Sequence, residues 1–206
     1  MVRKHSGPFA LVVFVIGCIA ALDITVAARA ALDDVTPPPV PDTLRVDAGH
    51  KAFSMAHAYG TQNYICLPSG AGMAWTLFGP QATLFDGADQ VITHFLSANP
   101  LENGTPRATW QHSRDTSAVW AVMIASSIDP AYVAPGAIPW FKLQRVGAQY
   151  GPDGGDRLTA TTFVQRVNTA GGLPPAAGCA LPGDAGRKAL VPYEADYVFY
   201  REKNNE

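Results

Sequence analysis

Charge is scarce in this chain. Its 206 residues hold 15 basic and 17 acidic side chains, and past the first few positions no basic run occurs. A nucleic-acid partner is not expected, because phosphate backbones are gripped by clustered Lys and Arg. Polybasic attraction to an anionic lipid surface is equally unsupported. Cysteine is rare as well: Cys18, Cys66 and Cys179 are the only three. There is no CxxC pair, no HExxH and no GxSxG. The signatures of a cysteine-ligated zinc site, a helix-borne metalloprotease and a nucleophile elbow are therefore absent. No internal repeat stands out, and no segment past residue 31 sustains a helical period, which argues against a parallel βαβ fold.

What the chain does have is apolar and turn-forming residues. Apolar side chains make up 48%, with 19 glycines and 17 prolines. That apolar share is enough for a core, and the Gly and Pro content favours short strands joined by turns.

The first 30 residues read as a signal peptide. Arg3 and Lys4 precede the apolar run "PFALVVFVIGCIAAL", and "ARA" at 28–30 places small residues where a signal peptidase cuts. The apolar run stops at Asp23, short for a bilayer span, so no transmembrane segment is expected in the mature chain. "VIGC" at 15–18 also resembles a lipoprotein box, with Cys18 as the acylated residue, although the apolar "IAAL" follows where a polar tether belongs. The expected location is secreted or periplasmic. Removal of 1–30 takes away Arg3, Lys4, Arg29 and Asp23, leaving twelve basic and sixteen acidic groups.

Residues 31–44, "ALDDVTPPPVPDTL", read as an extended proline-rich linker. The domain is expected over 45–206. Around nine or ten short strands follow. "KAFSMAHAYG" carries Phe53, Met55, His57 and Tyr59 on one face, and "TQNYIC" resumes after Gly60 as a second strand. "MAWTLF" and "QATLFD" read as separate strands. Asp86–Gly87 and Arg114–Asp115 mark two hairpins. Residues 96–107, "LSANPLENGTPR", read as a loop, and Pro139 suggests that "AIPWFKLQRV" begins at a sheet edge. "ALVPYEADYVFYR" closes the chain with Tyr193, Ala195, Tyr197 and Phe199 on one face. The fold class is all-β: one antiparallel β-sandwich or barrel.

With Cys18 in the leader, Cys66 and Cys179 remain. Two cysteines in an exported chain most simply form one disulfide, worth ~2–4 kcal/mol for a long loop. Free thiols are the next reading. A ligand or nucleophile role is the least supported, since "NYICLPSG" holds no charged group to lower the thiol pKa.

The succession "YICLPS", "ATLFD", "VITHF", "TWQHSRDTSAV", "IPWFKLQRV", "FVQRVNTAGGLPPAAGC" and "VPYEADYVFY" resembles the domain-of-unknown-function 3455 family of exported bacterial and fungal proteins. The resemblance runs from about Val46 to Tyr200 and implies one extracytoplasmic domain with no established activity. Cys66 and Cys179 match the family's two cysteines, and His94 and Trp110 match a histidine and a tryptophan of its pattern. Two departures occur. Gln111 stands where the family usually has Glu, and the compact link between that histidine and tryptophan is expanded here to "LSANPLENGTPRAT".

The mature chain holds His50, His57, His94 and His112, in spacings that fit no helix-borne metal pair. Neither a metal nor a cofactor is expected. A triad of Ser117, His94 and Asp115 lacks its motif. "GPDGGD" lacks the regular acids of an EF-hand and reads as a solvated turn. Trp75, Trp110, Trp120 and Trp140 read mainly as core, and an exposed remainder beside polar groups would suit a flat or apolar ligand. The candidate ligand-binding residues are His94, Trp110, Asp115 and Arg166, near the 95–109 region. The domain is expected to bind a small molecule, a glycan or an envelope partner, or to serve structurally. The alternative is a hydrolase or metal-dependent oxidoreductase using His94 with Asp115 or His112.

Overall fold

The computed structural model describes residues 35–203. The leader, its cleavage after Ala30 and Cys18 lie outside the described residues. Eight strands form one closed barrel in chain order, each antiparallel to the next. They are β1 (His50–Ser69), β2 (Gly72–Asp86), β3 (Asp89–Asn99), β4 (Thr105–His112), β5 (Ala118–Ser127), β6 (Trp140–Gln149), β7 (Phe163–Gly171) and β8 (Lys188–Glu202). β1 pairs with both β2 and β8, from Ser69↔Gly72 on one side to His50↔Glu202 on the other, and this closes the wall. Closure leaves no edge, so β6 is flanked on both sides, with Pro139 just ahead of it.

Strands are fewer and longer than the sequence predicts. "KAFSMAHAYG" and "TQNYIC" are one strand. Gly60 interrupts nothing. A Cβ there would overlap the Gln81 carbonyl and Ala82 across the β1–β2 seam, so glycine permits the two backbones to approach. "MAWTLF" and "QATLFD" are likewise continuous in β2. The hairpin at Asp86–Gly87 forms, with Asp86 opposite Asp89, and the turn after His112 joins β4 to β5. Residues 96–107 are not a loop. β3 runs on to Asn99, a 3-10 turn covers Pro100–Glu102, and β4 starts at Thr105, with Phe95 paired to Thr109. Asn99 builds this turn: its Oδ1 accepts from the Leu101 N–H (3.0 Å) and its Nδ2 donates to Glu102 (2.7 Å).

Two apolar clusters hold the domain. One fills the barrel, where Trp110, Tyr197, Phe199, Leu84, Ile92 and Val119 are wholly or nearly wholly buried. The face of β1 that points inward is the small one, Ala56 and Ala58, while Met55, His57 and Tyr59 point out. Eight strands enclose little room, so bulky side chains on one wall need small ones opposite. The second cluster lies on the other face of β7 and β8, where Phe163, Val167, Val198 and Tyr200 alternate with the inward residues. Trp140, Val133 and the segment before β1 cover it: Leu44 is fully buried, and Val35 and Val40 pack against the same cluster. The proline-rich stretch from residue 35 is therefore part of the folded unit, which begins ahead of Arg45.

Candidate functional site

The barrel is filled at one end and hollow at the other. The filled end is where the β4–β5 turn meets the glycine-rich loop after β6. There the Asp115 carboxylate accepts from Ser117 N–H (3.0 Å), Ser117 Oγ–H (2.7 Å) and Arg157 N–H (2.8 Å). Ser117 Oγ in turn accepts from Leu158 N–H at 3.1 Å, which seats Leu158 in the core. Gly151 and Gly155 touch the Asp115 backbone so closely that a Cβ on either would overlap it. The "GPDGGD" stretch is thus a fitted cover as well as a turn. His112 Nδ1 accepts from the backbone N–H groups of Arg114 and Asp115, both at 3.3 Å. Burial pushes the His112 pKa down, so its 3.2 Å approach to Asp115 is not an ion pair at neutral pH. Bonds from three donors hold the Asp115 carboxyl below the usual range in spite of its burial.

The hollow end is a cavity of about 260 Å³. Its inner wall carries His94, Trp110, Tyr197, Arg166 and Gln62, and Leu143, Phe141 and Ala121 complete it. Leu77, Leu96 and Met123, each about half exposed, stand at its mouth. The structure thus brings together three of the four candidate residues, His94, Trp110 and Arg166. It separates Asp115 from them. His94 is opposite Trp110 in the β3–β4 register, and Asp115 lies past the far end of β4, away from the Pro106 side on which the cavity sits. Neither Asp115 nor His112 joins His94, and the Ser117 hydroxyl is tied to Asp115 and Leu158 with no hydrogen bond to a histidine ring among the described residues. Among the described residues no three His, Cys, Asp or Glu side chains cluster as metal ligands would.

His94 is 3% exposed, and its ring stacks flat on Trp110 with centroids 4.4 Å apart. Nδ1 lies 2.8 Å from the Thr109 carbonyl. A carbonyl only accepts, so Nδ1 carries the hydrogen and Nε2 keeps its lone pair. Burial, with the nearby Arg166 adding to it, lowers the His94 pKa to about 3, so the ring is neutral. Arg166 is 7% exposed. Its Nε and Nη2 donate to the Pro139 carbonyl at 3.2 and 2.8 Å, and its guanidinium lies 3.9 Å over the Phe141 ring. No carboxylate pairs with it among the described residues. Tyr197 sits between the two: its ring is 5.0 Å from that of His94, and burial raises its pKa against the pull of the Arg166 charge beside it. Gln62 Nε2 and Trp110 Nε1 are buried donors with no partner among the described residues.

Gln62 and Phe141 were not singled out by the sequence, and Tyr197 was read there only as one of the residues on a shared strand face. The inward alternation of β8 was a usable signal for Tyr197; nothing local marks Gln62. Trp120 and Trp140 are buried on the outer face, and Trp75 Nε1 donates to the Ala177 carbonyl at 3.2 Å. That bond lies beside the Cys66–Cys179 disulfide, which joins the C-terminal end of β1 to the loop before β8 across a sequence separation of 113. The candidate free-thiol and ligand roles of these cysteines thus give way to a covalent link.

These features define an all-β domain, an up-and-down barrel closed on itself with a cavity at one end. The chain belongs to the family described as Protein of unknown function (DUF3455), whose pattern matches residues 47–201. No curated protein and no solved structure matches it. No helix among the described residues is long and apolar enough to cross a membrane.

Proposed function

We propose that this domain is an exported binding module whose barrel cavity takes a small organic acid with an apolar body. The observation that carries this reading is Arg166, a buried cation on a mainly apolar cavity wall with no carboxylate partner among the described residues. A buried charge without a counter-ion costs several kcal/mol. An anionic ligand offsets that cost, and guanidinium geometry suits a carboxylate. The cavity volume lies just below the ~300–1,000 Å³ of common ligand sites, which favours a small ligand. Eight-stranded barrels are about the right width to hold one such molecule. The half-exposed Leu77, Leu96 and Met123 offer an apolar rim for its tail. The disulfide supports residence in an oxidising compartment, secreted or periplasmic.

Calorimetric titration of the purified protein with octanoate, 1-octanol and octylamine tests this. Octanoate is expected to bind at least about tenfold more tightly than octanol, as a charge-assisted bond implies. Arg166→Met should bring octanoate down to the level of octanol. Equal binding of octylamine, or an indifferent Arg166→Met, would remove the reading.

A further inference from the structure

The same cavity wall carries a rigidly held acceptor among its donors. His94 Nδ1–H is committed to the Thr109 carbonyl of the neighbouring strand at 2.8 Å. The two imidazole nitrogens point in nearly opposite directions, so a ring anchored to the wall through Nδ1 turns Nε2 away from that wall. No hydrogen-bond donor in the described residues reaches Nε2. The ring is also immobilised, flat against Trp110 and flanked by Tyr197. Its tautomer and its direction are therefore both set before any ligand arrives, which is what a specificity contact requires.

From this we infer that the cavity selects acids bearing a hydroxyl close to the carboxylate: Arg166 holds the carboxylate, and His94 Nε2 accepts the hydroxyl hydrogen. The inference rests on the acid-binding reading above and adds the substrate class. The other polar groups on the wall do not compete for this role. The Arg166 and Arg107 guanidinium groups and the Trp110 N–H can only donate, and the acceptor oxygen of the Gln62 amide sits on a side chain whose orientation no hydrogen bond among the described residues fixes. The Tyr197 hydroxyl is already engaged with Tyr193 Oη at 3.2 Å and lies beside Arg166. A ligand hydroxyl that must give up its water on entry has one well-oriented acceptor, and a site with an unmet acceptor discriminates against ligands that leave it unmet. A second carboxylate or a ketone at the same position would set lone pair against lone pair at Nε2 and be disfavoured.

The test compares octanoate with 2-hydroxyoctanoate and 3-hydroxyoctanoate by calorimetry on the full protein. One of the hydroxy acids is expected to bind about five- to tenfold more tightly than octanoate. In His94→Phe, which keeps the ring stack and removes the acceptor, that advantage should vanish while octanoate binding persists. Should His94→Phe fail to fold, the wild type supplies the readout through the ¹⁵N shift of His94 Nε2. It should move with the hydroxy acid and stay put with octanoate. If octanoate binds and neither hydroxyl position improves on it, or if the Nε2 shift ignores the hydroxyl, this inference falls while the acid-binding reading stands. If octanoate does not bind at all, both fall.

Discussion

The two ends of the barrel handle buried polar groups in opposite ways. At the filled end, the Asp115 carboxylate collects three donors, and Ser117 passes the chain of bonds on to Leu158. Thr161 Oγ1 is the one buried side-chain atom there left without a partner among the described residues. At the hollow end, among the described residues, Gln62 Nε2 and Trp110 Nε1 lack partners and Arg166 lacks a counter-ion. A satisfied network holds a fold together; an unsatisfied one lowers stability and persists where a ligand completes it. Stability and binding should therefore separate along the barrel axis.

The largest effect should come from cutting the covalent tie. Replacing Cys66 and Cys179 together with Ser is expected to cost about 4 kcal/mol, because the bridge closes a long loop. A urea midpoint that stays where the oxidised wild type has it would show that the tie contributes nothing. Next comes the filled end. Asp115→Ala orphans the donors of Ser117 and Arg157 and should cost about 3 kcal/mol. Octanoate affinity of the folded protein should stay within about twofold, since the carboxylate is not on the cavity wall. A large loss of affinity at wild-type stability would erase the contrast between the ends.

A smaller effect is set by pH. The unfolded chain protonates His94 near the ordinary value of 6.5, and the folded chain holds it neutral down to about 3. Between these values the unfolded state binds more protons. Stability should therefore fall as pH drops from 6.5 towards 3, by up to about 1.4 kcal/mol per pH unit from this group. His94→Gln should flatten that slope above pH 5, where the carboxylates contribute little; an unaltered slope would locate the titration elsewhere. The smallest shift in stability is expected from Arg166→Met. It loses the two bonds to Pro139 but removes a buried charge that no carboxylate among the described residues offsets, so the unfolding free energy should move by less than about 1 kcal/mol while binding collapses. A loss of several kcal/mol would make Arg166 a structural residue.

Local chemistry was legible in the sequence. Asp86–Gly87 and the turn after His112 sit where their residue types put them, since a turn is decided by a few adjacent residues. The inward set Tyr193, Ala195, Tyr197 and Phe199 follows from alternation on β8. The same reasoning could not tell which face of β1 turns inward, because alternation has a period but no sign. Size misleads here: the bulky Met55, His57 and Tyr59 face out, and alanines face in. Gly60 was unreadable for a related reason. A glycine in a strand signals either a break or a close approach, and only the position of β2 decides between them. The candidate Asp115 shows the limit for a site. Its neighbours in sequence suggest a polar cluster, yet its carboxylate is spent on Ser117 and Arg157.

By itself, the sequence determined the all-β class and its main hairpins, and it favoured a bond between Cys66 and Cys179. Each depends on residues adjacent in the chain or on a choice with few members. Tertiary structure alone decided that the sheet closes through β1 and β8, that one end is packed and the other hollow, and that Arg166 and His94 share a wall. Those outcomes depend on register between strands far apart in sequence and on how much volume eight strands enclose. Neither quantity is carried by any single stretch of residues.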